Sequence, residues 1–260
     1  MKLLHFAVLL ACNLPGMVLA QPSVQIAAED DWAPYASMKA DHSGPEGLSP
    51  QLVREIFALQ GYKVQFITVP FVRCLSYVDQ GKVLACFNTT ITSDNRHRYY
   101  WHKTPLFYEE LAIFGRSHQL RGNVTVQQLE GARLGITRGY TYPSSIMNNP
   151  RIMRSVSSSD HDLLRMLAAR RVDYILLNTM PGYLRINQNP AWKGTINRVG
   201  VISQDGFWLN FSRARPEGKH MAKLFEDGLQ QLKRSGRYDE IMRNFRTRMG
   251  VPDLAASNSQ

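Results

Sequence analysis

Val24-Gln25-Ile26-Ala27-Ala28-Glu29-Asp30-Asp31-Trp32-Ala33-Pro34-Tyr35 is the stretch that decides the fold. Its first five residues form an apolar run of strand length, and acids followed by aromatics around a proline replace them at once. This predicts a buried strand that ends in a chemically dense loop. Downstream, Ser49-Pro50 offers an N-cap and a first-turn proline to a helix whose Leu52, Ile56, Phe57 and Leu59 share a face, with Gly61 past its end. Tyr62 to Val69 alternates Val64, Phe66 and Thr68 against Lys63, Gln65 and Ile67, the pattern of a second strand. A helix carrying Phe71, Val72, Leu75 and Val78 stops at Gly81, and Val83-Leu84-Ala85-Cys86-Phe87 is a third strand. Strands alternate with helices, the order expected of an α/β lobe built on a mainly parallel sheet.

The same grammar returns from about Ser117. Thr125 caps a short turn ending at Gly131, and Ala132-Arg133-Leu134-Gly135-Ile136 forms a strand that runs into Arg138-Gly139-Tyr140-Thr141. Ser159 and Asp160 then start a helix with Leu163, Leu164 and Leu167, and Val172 to Leu177 is the next strand. Two amphipathic helices close the chain, one marked by Met221, Leu224, Phe225, Leu229 and Leu232, the other by Tyr238, Ile241, Met242 and Phe245. Residues 251–260 carry Pro and small polar side chains and are expected to be a flexible tail.

Lys2 stands ahead of an apolar run to Ala11, and Val18-Leu19-Ala20 supplies small-residue spacing, so residues 1–20 are expected to be a secretory signal peptide with Gln21 as the new N-terminus. The alternative of a lipoprotein box at Leu9-Leu10-Ala11-Cys12 is weakened by the bulk of Leu10. No later stretch is long and apolar enough to be a membrane-spanning helix. The formal charge of +10 becomes +9 once Lys2 is removed, and Lys and Arg alternate with acids along the C-terminal helices. That is the distribution of a solvated basic surface; no Lys/Arg block or aromatic-basic ladder points to nucleic acid. Of three cysteines, Cys12 lies in the signal segment. Cys74 and Cys86 either pair as a disulfide in an oxidising compartment or remain two buried thiols.

In open α/β sheets ligands bind beyond the carboxyl ends of strands. Those positions here hold Glu29, Trp32 and Tyr35 after the first strand, and Asn88, Thr89 and Thr90 after the third, with Arg96 close behind. In the second unit they hold Arg138-Gly139-Tyr140-Thr141 and Asn178-Thr179. Each has a plain structural explanation: Trp32 and Tyr35 as the edge of a core, Arg96 as a solvated charge, Thr89 as a turn former, Tyr140 as a plug. Their coincidence at strand ends in two separate units favours a ligand site with aromatic walls, hydroxyls and a guanidinium fork suited to a carboxylate.

Taken in order, the loop Glu29 to Tyr35, a helix ending in Gly81-Lys82-Val83, Thr92 followed by Arg96, the run Lys103-Thr104-Pro105-Leu106-Phe107-Tyr108 and Ser235-Gly236-Arg237-Tyr238-Asp239-Glu240-Ile241 resemble the polar amino acid-binding branch of the periplasmic solute-binding proteins, family 3. The likeness runs from Val24 to about Phe245. It implies two Rossmann-like lobes joined by a two-strand hinge, the type II periplasmic-binding fold, with residues 21–115 and 205–250 in one lobe and 116–204 in the other. The chain would cross near Phe114 to Ser117 and return near Gln204 to Gly206. Carried over by position, Arg96 would hold a ligand carboxylate with Asn88, Thr89, Thr141 and the Gly139-Tyr140 backbone; Trp32 would stack on the ligand and Glu29 face its cationic end. The chain departs from the family where Asn178 replaces an acid that holds an α-ammonium, and where Leu84 replaces an aspartate.

The resemblance implies a monomeric periplasmic binding protein, not an enzyme, that takes an amino acid or a related carboxylate or amine for ABC-type uptake or sensing, with no cofactor or metal. Its partners would be that ligand and a membrane permease or sensor. The competing expectation is an enzyme on the same fold, acting on cyclic acids as a dehydratase. Against it, the chain has no metal-ligand spacing, Gly-rich phosphate loop or nucleophile motif.

Overall fold

The computed structural model describes residues 21–117 and 123–250; the expected signal peptide and the expected tail lie outside the described residues. The chain opens with β1 (Ser23–Glu29), followed by a small antiparallel ribbon of β2 (Asp31–Trp32), β3 (Ala36–Met38) and β4 (Pro45–Glu46). Helix α1 (Leu48–Leu59), β5 (Lys63–Val69), α2 (Phe71–Asp79) and β6 (Ala85–Thr89) complete the first βαβαβ unit. β1 lies between β5 and β6 and runs parallel to both, with Ile26 opposite Phe66 and Ala85. Strand, helix and strand follow the hydrophobic pattern of the sequence, and the glycines at 61 and 81 take left-handed φ values of 80° and 67° where the helices end.

The short β7 (Tyr100–Trp101) precedes the ten-residue β8 (Phe107–Arg116). The second unit then contributes β9 (Arg133–Thr137), α3 (Ser144–Met147), β10 (Met153–Ser157), α4 (Asp160–Ala168), β11 (Tyr174–Asn178) and α5 (Thr179–Gln188). β12 (Ile196–Phe211) returns alongside β8, and α6 (Gly218–Arg234) and α7 (Arg237–Arg248) pack back on the first unit. The strand order β10-β9-β11-β8-β12-β6-β1-β5 gives a mostly parallel α/β arrangement of two lobes, with β8 and β12 as the antiparallel pair through its middle.

Each lobe has its own cores. In the first, α1 buries Leu52, Val53, Ile56 and Phe57, and Phe57 meets Phe225 of α6 with ring centroids 5.2 Å apart. In the second, Leu134, Ile136, Leu176 and Val199 pack on one side of the sheet, and Phe114, Leu163, Leu167 and Ile175 on the other. Fully burying such a side chain contributes about 1.5–3 kcal/mol. Disulfide-bonded Cys74 and Cys86 join α2 to β6, with Cα atoms 5.9 Å apart.

Two local expectations differ in outcome. Ser159 is the N-cap of α4 and accepts from the Asp162 amide at 3.1 Å. Ser49 is not an N-cap: α1 begins at Leu48 behind Gly47, and the buried Ser49 hydroxyl donates instead to Asn88 Oδ1 at 2.5 Å. A polar partner from the neighbouring strand has outcompeted the local turn.

Candidate functional site

A narrow cavity lies where the carboxyl ends of the strands of both lobes meet. From the first lobe come Glu29 at the end of β1, Trp32 in β2, Phe71 at the start of α2, and Asn88 and Thr90 at the end of β6. Leu111 of β8 and Asp205 and Phe207 of β12 form the back wall. The second lobe supplies Tyr140, Thr141 and Tyr142 after β9, and Leu176, Leu177 and Asn178 from β11. The topology explains the convergence, since parallel strands from two units present their ends to one crevice.

Glu29 is the polar centre of the first-lobe wall. It is buried, accepts from Asn88 Nδ2 at 3.4 Å and is within hydrogen-bonding reach of Tyr140 across the cleft. Burial pushes its carboxyl up to about 8; the hydrogen bonds from Tyr140 and Asn88 oppose that rise, and Asp160 and Asp30 add to it. Asn88 has φ 63°, in the left-handed region that Asn tolerates better than most residues, at the point where β6 ends. Its amide spans Ser49 and Glu29 and so fixes the carboxyl against the helix α1. On the other side, Asp160 is buried, accepts from Thr137 Oγ1 at 2.6 Å and is raised to about 6 by burial.

Trp32 is both core and wall. It is 2% exposed, lies 4.7 Å from Tyr35 and 4.9 Å from Phe207 between ring centroids, and still contributes to the cavity surface. Tyr35 does not line the cavity: its ring stacks on Phe107 at 4.5 Å and its hydroxyl donates to Glu109. The other Glu109 oxygen accepts from the Met180 amide at the start of α5, at 2.9 Å.

Of the residues expected at the site, Glu29, Trp32, Asn88, Tyr140, Thr141 and Asn178 converge on the cavity. Thr89 is buried behind it and donates to Asn210 Oδ1 at 3.3 Å, while the half-buried Thr90 lines the cavity. Gly139 lies beside the cavity with φ 78°, against Val72 of the opposite lobe. Arg96 is exposed in the turn after β6 and does not line the cavity. Asn178 donates to the Glu110 carbonyl at 3.3 Å. Sequence reasoning missed Asp205, Phe207 and Leu111, because a strand's position beside a cleft leaves no local mark. Tyr142, three residues beyond Gly139, was within its reach. Among the described residues, no group of three or more His, Cys, Asp or Glu is placed to hold a metal ion.

Residues 24–247 match the model of the bacterial extracellular solute-binding proteins, family 3. The chain belongs to this family. Membership brings with it a place outside the cytoplasmic membrane and the binding of a solute. No curated protein matches the sequence. Solved structures similar to this family member include a histidine kinase sensor domain with similarity to periplasmic binding proteins, at 20% identity and TM-score 0.74, covering 86% of this chain and 95% of that one. The amino acid ABC transporter substrate-binding protein AbpA from Streptococcus pneumoniae, bound to L-arginine, is 15% identical with TM-score 0.71 and coverages of 89% and 97%. An ancestral amino acid-binding protein described as a precursor of cyclohexadienyl dehydratase is 13% identical, with TM-score 0.71 and coverages of 86% and 94%. At these identities the likeness shows the type II periplasmic-binding fold, and the cleft itself must speak for the ligand.

Proposed function

We propose that the protein captures a small polar solute, an amino acid or a close relative of one, in the periplasm and hands it to an ABC-type permease or a membrane sensor. The observation that carries this reading is a cavity walled by both lobes, with Glu29 and Asn88 on one side and Tyr140, Thr141 and Asn178 on the other. A ligand held by both walls favours the closed arrangement, which is how binding becomes a signal that a membrane partner can read. The swivel lies in the paired strands β8 and β12, between Phe107 and Glu110 and between Gln204 and Phe207, beyond which β8 packs with the second lobe. The similar sensor domain and transporter component lend support to the two fates of the bound solute.

A thermal-shift screen of the purified chain against amino acids, their decarboxylated and deaminated relatives, and small organic acids tests this. Ligand at a hundred times its Kd adds about 2.7 kcal/mol of stability, a visible rise in melting midpoint. Absence of any shift across the panel would remove the reading.

The buried carboxyl of Glu29 favours one alternative, since a group raised to about 8 has the proton affinity of a general acid or base working near neutral pH. An enzyme would convert the ligand it is given; a binding protein returns it unchanged, and mass spectrometry of the mixture separates the two.

A further inference from the structure

We propose that the group recognised in this cleft is an ammonium with no free carboxylate beside it, so that the solute is an amine rather than a free amino acid. The inference rests on the solute-binding reading above and refines its ligand class.

The cavity carries two carboxyl groups, Glu29 from β1 and Asp205 from β12, and among the described residues no Lys, Arg or His lines it. The cationic groups nearby are committed or turned away. Arg185 donates to Asp31 at 2.8 Å, Arg138 lines a neighbouring cleft beside Asp30 and Asp31, and Arg96 is exposed on the surface. A ligand carboxylate would therefore meet no guanidinium on the lining and would lie against the carboxyl groups of Glu29 and Asp205. The walls fit the opposite charge. Trp32, Phe71 and Phe207 line the space, and an aromatic ring attracts a cation placed over its face.

Glu29 also has acceptor capacity to spare. A carboxylate offers about four lone-pair sites, and Asn88 reaches it only at 3.4 Å while Tyr140 supplies one hydroxyl. Burial has already stripped water from it, so an incoming ammonium finds an acceptor that needs no further desolvation. A cation against Glu29 also reverses the effect of burial on its proton affinity.

Calorimetric titration of the full chain with matched pairs decides the matter: arginine and agmatine, lysine and cadaverine, histidine and histamine, phenylalanine and phenethylamine. The expected result is that at least one amine binds and that it does so tenfold or more tightly than its parent amino acid. Glu29→Gln, checked for an unchanged fold by circular dichroism, should then weaken that amine tenfold or more. An amino acid that binds as tightly as its amine, or more tightly, overturns the inference while the solute-binding reading stands. Binding of organic acids alone does the same. If no amine binds at millimolar concentration the inference is likewise overturned, and the wider solute screen decides the broader reading on its own.

Discussion

Arg185 of α5 donates from one Nη2 to both the backbone carbonyl and the carboxylate of Asp31, at 2.8 Å each, and so fastens the second lobe to the loop behind β1. The guanidinium is largely covered, with 13% of its side chain exposed, whereas the Asp31 carboxylate is 59% exposed. A pair open to water on one side is worth about 1 kcal/mol or less. Arg185→Ala is therefore expected to raise the open population of the ligand-free protein by up to about fivefold. Small-angle scattering checks it through a larger radius of gyration; an unchanged profile with unchanged ligand affinity would show that the pair does not bias closure.

Gly139 meets Val72 across the same cleft. A Cβ at this position would lie 2.2 Å from Val72 Cγ2, and the backbone φ of 78° is itself unfavourable for an alanine by about 1–2 kcal/mol. Valine is stiff about its Cα–Cβ bond and yields poorly. Gly139→Ala should thus weaken ligand binding by about tenfold, because closure brings the two walls together. Titration calorimetry measures this. A variant that binds as well as the parent would place Val72 and Gly139 apart in the bound state.

Glu29 predicts a pH dependence whose sign is opposite to that of most carboxyls. Its pKa in the folded protein is about 8, against 4.5 for the unfolded chain, so between those values the folded state holds a proton that the unfolded state does not. Stability contributed by Glu29 is full below pH 4.5 and is lost as pH rises to about 8, with a limiting slope of about 1.4 kcal/mol per pH unit. Asp160, raised from 3.8 to about 6, adds loss of the same sign in its own window. Ligand-free Glu29→Gln should therefore melt higher than the parent at pH 8–9, the gap narrowing toward pH 5. A parent protein whose melting midpoint rises with pH over this range would contradict the burial of an uncompensated acid.

Much of this arrangement was legible in the chain. β1, α1, β5, α2 and β6 follow from apolar periodicity and from the glycines at 61 and 81, because a lobe built from consecutive units writes its contacts locally. β8 and β12 were not read as strands, since long antiparallel strands buried over only part of their length carry no single period. The site divides along the same line. Glu29, Trp32, Asn88, Tyr140, Thr141 and Asn178 stand directly at or after strand ends and were found there, whereas Asp205 and Phe207 enter the cavity only because β12 crosses between the lobes. Ser49 looked like a helix cap because capping is judged on neighbours in sequence, and its actual partner, Asn88, is 39 positions away.

The disulfide between Cys74 and Cys86 encloses a loop with a sequence separation of 12. Closing a loop of this size in the unfolded chain is worth about 3 kcal/mol in the chain-entropy account. Replacing both cysteines with alanine should lower the free energy of unfolding in guanidinium by about 2–4 kcal/mol. The double substitution leaves Glu29 and Asn88 in place, so ligand affinity should hold. A drop in affinity equal to the drop in stability would instead mean that α2, which brings Phe71 to the cavity, depends on the bridge for its position.

Arg96 and Trp32 discriminate between two ways of holding a ligand. Trp32 is 2% exposed among Tyr35, Phe107 and Phe207, so Trp32→Ala should cost about 3–5 kcal/mol of stability whether or not a ligand is present, and it tests little by itself. Trp32→Phe keeps an aromatic ring in the stack, and its effect on binding relative to its effect on melting isolates the contact with ligand. Arg96 is exposed and outside the cavity, so Arg96→Ala should change affinity by no more than about 0.5 kcal/mol. A loss of about 1.5–3 kcal/mol is the scale of a hydrogen bond to a charged group. That outcome would mean that the turn after β6 swings its guanidinium into the cleft to meet a carboxylate. Such a ligand would offer a carboxylate to Arg96 and could still offer an ammonium to Glu29, as a free amino acid does and an amine does not. The two variants, titrated with one amine and its parent amino acid, therefore say which end of the ligand the protein holds.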